Sequence, residues 1–102
     1  MKIETNLKFE LPINSCEIEY EPTFYLLCMA TSMQQVFIGT EASELVREAI
    51  IQSLDVIRRI LEKRDYDVVS KDGVKVVANC IDFCKLHDKQ FRVEEEPIRF
   101  TL

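Results

Sequence analysis

Glycine is scarce in this chain, with two residues in 102, and proline contributes only three. So few breakers leave little of the chain for loops or linkers. They also exclude glycine-rich phosphate cradles, dinucleotide fingerprints and a Gly-x-Ser-x-Gly nucleophile elbow. Long apolar runs are missing too. The longest uncharged stretch, residues 22–40, contains Thr, Ser and two Gln, and falls short of the roughly 20 mainly apolar residues a membrane span needs. The first ten residues carry Glu4, Asn6 and Glu10, which leaves no hydrophobic region for a secretory signal. The expected location is the cytoplasm.

Basic charge is also in deficit: 13 Lys and Arg stand against 18 Asp and Glu, a net charge of −5. Nucleic-acid binders present a basic stripe. Here the most basic stretch, Arg58, Arg59, Lys63 and Arg64, is interleaved with Glu62 and Asp65. It falls in the last turns of a predicted helix, where the helix dipole favours cations. Nucleic acid is therefore not the expected partner.

What is present is an ordinary globular composition, 47% apolar and 30% charged, enough for one folded domain over residues 1–102. Cys16, Cys28, Cys80 and Cys84 sit within apolar patterns, and a chain with this much core does not need disulfide staples. Free, mostly buried thiols are expected.

Apolar residues alternate from Ile3 to Leu11 and again at Cys16, Ile18 and Tyr20, with Glu17, Glu19 and Glu21 between them. Period two predicts two strands with one wet face. A loop over residues 12–15 then sets Leu11 opposite Cys16 and Lys8 opposite Glu19. Residues 22–38 read as a helix with Phe24, Leu27, Cys28, Thr31 and Ile38 on one face, although the continuous apolar run at 24–30 also fits a buried strand.

The clearest signal follows. Ala42, Leu45, Val46, Ala49, Ile50, Leu54, Ile57, Ile60 and Leu61 recur at steps of three and four, which predicts a helix over 41–64 capped by Thr40. Ile51 and Val56 widen its apolar face beyond the main stripe. A short strand is expected at 66–70 and a helix over 71–89, Ser70 being its cap. That helix takes precedence over an Asp72-Gly73 hairpin. A final strand over 91–102 changes phase at Pro97. The assembled expectation is an α+β fold in the order β-β-α-α-β-α-β, an antiparallel-rich sheet with helices packed on one face.

Three constellations could carry chemistry. Cys80, Cys84 and His87 share one side of the predicted helix, and thiolate and imidazole ligands suit zinc. Asp88 could complete or orient such a set. Two small core thiols and a histidine near a helix C-terminus explain the same residues more plainly. Cys84 and His87 are also spaced as a nucleophile and base, but no oxyanion site or cleft accompanies them. Glu17, Glu19 and Glu21 form a carboxylate row whose plainer reading is a solvated strand face. Met29 and Met33, beside Phe24, Tyr25 and Phe37, read as core rather than as an adaptable binding surface.

The function expected from these residues is a small acidic, non-catalytic protein–protein interaction module: a regulator, inhibitor or chaperone-like adaptor that forms a homodimer. Its interaction surface is expected at Ile51, Val56, Glu17, Glu19 and Glu21, since acidic surfaces steer towards basic partners. The alternative is a metal- or small-molecule-binding domain built on Cys80, Cys84 and His87, with zinc as the cofactor.

Overall fold

The computed structural model describes every residue except 1, 5, 6, 40, 41, 65–67 and 96–102. Among the described residues lie two short strands, β1 (Lys2–Glu4) and β2 (Lys8–Glu10), and four helices. These are α1 (Ser15–Ile18), α2 (Thr23–Phe37), α3 (Glu44–Lys63) and α4 (Val68–Glu95). The expected α+β layering is overturned. Helices form the body, and among the described residues sheet is confined to one antiparallel pair that sets Lys2 against Glu10, Ile3 against Phe9 and Glu4 against Lys8.

The period-two pattern of the first segment misled because it suits two structures. Three positions separate Glu4 from Lys8, and an odd number keeps odd residues opposite odd ones. Unbroken alternation therefore fits a tight hairpin as well as one long strand. The second expected strand is replaced by α1. The Asn14 side chain accepts a hydrogen bond from the Cys16 amide at 3.0 Å and starts a helical turn. Of the three residues expected to point inward, only Ile18 is buried, while Cys16 and Tyr20 lie in solvent.

In α2 the helix is as expected but its phase is not. Leu26, Met29, Ala30, Met33 and Phe37 are buried, and Phe24 is 77% exposed. Seven consecutive residues from Phe24 to Ala30 are apolar, so the sequence carries no contrast from which to choose a face. α3 is one unbroken helix, capped by Ser43, whose hydroxyl accepts from the Val46 amide at 3.2 Å. The short strand expected at 66–70 is helical from Val68, and α4 continues through Glu95 where a final strand was expected. The expected Pro97 phase change lies outside the described residues. Paired valines at 68–69 favour strands by well under 1 kcal/mol, and packing outweighs them: a Cβ at Gly73 would lie 3.3 Å from side-chain atoms of both Leu27 and Leu61.

Two pairs of contacts fix the directions of the helices. Thr23 meets Ser70 through their hydroxyls at 3.1 Å, and Phe37 meets His87 edge to face at 6.3 Å. α2 and α4 therefore run parallel. Leu61 lies beside Gly73 and Arg47 beside Asp88, so α3 runs antiparallel to both. The core between them takes Ile50, Leu54, Ile57 and Leu61 from α3, and Val77, Cys80, Ile81 and Cys84 from α4. Leu11 and Ile13 seal one side, where the buried Ile13 amide donates to the Ser53 hydroxyl at 3.0 Å. Ser53 donates in turn to the Ala49 carbonyl at 2.7 Å, so no polar group of this pair is stranded.

Candidate functional site

The residues singled out for metal chemistry are drawn into the core. Cys84 is fully buried and Cys80 nearly so. Burial pushes the Cys80 thiol up from its usual range, and burial together with the neighbouring Cys80 pushes Cys84 to about 12. Neither thiol is poised to become the thiolate that binds metal or attacks an electrophile. The His87 ring meets Phe37 edge to face, and its Nδ1 is buried without a hydrogen-bond partner among the described residues. Asp88 belongs to an ion pair with Arg47. Among the described residues no three His, Cys, Asp or Glu side chains are grouped to hold a metal ion. Helical spacing put Cys80, Cys84 and His87 on one side of α4, but that side is the one packed inward.

The expected interaction residues divide into two groups. Ile51 and Val56 are half-buried and packed against the core, so α2 and α4 of its own chain cover the apolar face of α3 at these positions, while Leu45 in its first turn is exposed. Glu17 and Glu19 are exposed and Glu21 is half-buried, but on a turn rather than a strand. The Arg64 guanidinium holds that turn in place. It donates to the Glu19 carbonyl at 2.7 Å, the Glu21 carbonyl at 2.6 Å and the Thr23 hydroxyl at 3.1 Å. The result is a fixed corner that carries Glu17, Glu19 and Glu21 along with two exposed aromatic residues, Tyr20 and Phe24.

The largest apolar exposure lies on α4. Val68 is 72% exposed, Val69 60%, Phe83 45% and Leu86 55%, with Val76 between them. Val69, Val76 and Phe83 recur every seven residues, so they share one stripe of the helix, and Leu86 extends it one turn further. The inward set, Gly73, Val77, Cys80 and Cys84, lies beside this stripe. α4 is thus apolar on two adjacent faces, and α2 and α3 cover only one. Sequence reading missed the second because Lys75, Asn79, Asp82 and Lys85 already marked a wet side. The seven-residue repeat of Val69, Val76 and Phe83 was the signal available.

An open cleft of about 260 Å³ lies between α3 and the C-terminal half of α4. Its walls mix Arg47 and Lys85 with Glu44, Glu48 and Asp88 over an apolar floor of Phe37 and Ile51. With cations and carboxylates answering one another, the cleft presents no single charge to a ligand. No helix among the described residues is long and apolar enough to cross a membrane. No protein-family model matches the chain, and neither does any curated protein or solved structure.

Proposed function

We propose that this chain is a small acidic, non-catalytic interaction module that works in the cytoplasm by binding protein surfaces, its own included. The observation that carries this reading is the bare apolar stripe on α4, Val69, Val76, Phe83 and Leu86. Apolar groups grouped on one helix face, unlike scattered ones, mark a surface that meets something else. The acidic corner at Glu17, Glu19 and Tyr20 supplies a second feature, suited to a partner with basic and apolar groups side by side. Cys16, Cys28, Cys80 and Cys84 are all unpaired, which accords with a reducing compartment.

Photo-crosslinking in cells tests the reading directly. A photoreactive residue is placed in turn at Tyr20, Val76 and Phe83, with exposed Glu62 as control. The expected result is discrete protein adducts from the first three positions well above the control. Adducts from none of them would contradict the proposal.

A further inference from the structure

We infer that the bare stripe of α4 is a self-association seam: two copies pair their α4 helices antiparallel, in a register set by Lys75 and Asp82. This deepens the interaction reading above and rests on it. Residues 69, 72, 76, 79, 83 and 86 fall at the three- and four-residue steps that line the contact of two packed helices. In an antiparallel pair, Val69 meets Leu86 of the second copy, and Val76 meets Asn79 of the second copy. Each contact then occurs twice, as a twofold axis requires.

Charge selects this arrangement. Lys75 and Asp82 flank the same edge of the stripe, both exposed, and among the described residues neither takes part in an ion pair within the chain. When Val76 stands against Asn79 of the second copy, Lys75 comes opposite Asp82 of the second copy, and the reverse. A parallel pair in register would put the Lys75 and Asp82 edges of the two copies on opposite sides of the seam, where these ion pairs cannot form. The seam is small, because Val76 and Phe83 are each less than half exposed, so the pairing belongs to the weak, reversible class of interfaces. Two polar residues fit the seam less well: Asn79 stands against Val76 of the second copy, and Asp72, the worse of the two, against Phe83. A carboxylate in a seam costs stability, which makes the pairing reversible.

Sedimentation equilibrium on the full chain and three variants tests the inference, with circular dichroism to verify that each remains helical. The wild type is expected to reach twice 11.9 kDa at high micromolar concentration. Asp82→Lys is expected to weaken association about tenfold or more, and Lys75→Asp with Asp82→Lys to restore it to within about threefold, since only the double change re-forms both ion pairs. Asp72→Leu is expected to tighten association about tenfold. A dimer indifferent to all three changes would overturn the α4 seam while leaving the interaction reading intact. A chain that stays monomeric at every concentration would overturn the seam. The crosslinking at Tyr20 then decides the broader reading separately.

Discussion

α3 and α4 are neighbours of similar composition with opposite fates. α3 collects its apolar residues into one broad band, and helices of the same chain cover all but the first turn of it, where Leu45 is exposed, so that Ile50, Leu54 and Ile57 are fully buried. α4 spreads its apolar residues over two adjacent faces; among the described residues Val77, Cys80, Ile81 and Cys84 are buried, Val74 packs against them, and the outer stripe is left exposed. Amphipathic contrast is therefore a better guide to the core than apolar content. The apolar residues left over show where a helix has more to bury than its own chain can accept.

The sharpest way to break this contrast is to truncate one residue on each face. Leu54→Ala should cost about 3 kcal/mol in chemical denaturation, because it leaves a cavity among α2, α3 and α4. Phe83→Ser should change stability measured in dilute solution by about 0.5 kcal/mol or less, while abolishing association. Equal losses from the two would erase the distinction between the helices.

Two changes probe how closely the core is fitted. Gly73→Leu should cost about 2 kcal/mol by overpacking, since even a Cβ there comes within 3.3 Å of Leu27 and Leu61. Ser53→Ala should cost about 1–2 kcal/mol, because it strands the buried Ile13 amide. Thermal unfolding measures both.

The buried thiols make a pH prediction. Folded Cys84 titrates near 12, above its ordinary 9.0. Between those values the unfolded chain has released the proton and the folded chain still holds it. Stability from this group is thus fully present below about pH 9 and falls as pH rises, at about 1.4 kcal/mol per unit for one thiol. Cys84→Ala should reduce the steepness of alkaline destabilisation, seen as a shallower fall of Tm with pH. The smallest effect belongs to the solvent side of α3. Hydrogen bonding from Arg58, aided by the nearby Arg59, lowers the Asp55 pKa against an opposing desolvation. Its contribution is therefore present above the ordinary carboxylate range and lost as pH falls through the lowered value. Asp55→Asn should cost about 0.5 kcal/mol at neutral pH and blunt part of the acid sensitivity.

How much of this was legible depended on contrast along the chain. α3 could be read because its apolar steps of three and four are separated by charges such as Glu48, Asp55 and Arg59. The helix of α2 was legible but its buried face was not, since an all-apolar run gives every phase equal weight. The hairpin was hidden because alternation survives an odd turn. α1 depended on the Asn14 cap and on Arg64, 45 residues beyond Glu19, reaching back to its carbonyl. A local pattern cannot announce such a long-range contact. At the candidate site, helical spacing placed Cys80, Cys84 and His87 correctly on one side of α4. It did not say that this side faced the core, and so a ligand set was expected where there is packing.

Hydroxyl-radical footprinting across a concentration series tests the central claim most directly, because it reads each side chain's access to water. As the protein passes from low to high micromolar concentration, Phe83, Leu86 and Val76 should become protected while Tyr20 stays reactive. Labelling of Phe83 and Leu86 that does not change with concentration would contradict the claim that a second copy covers the outer face of α4.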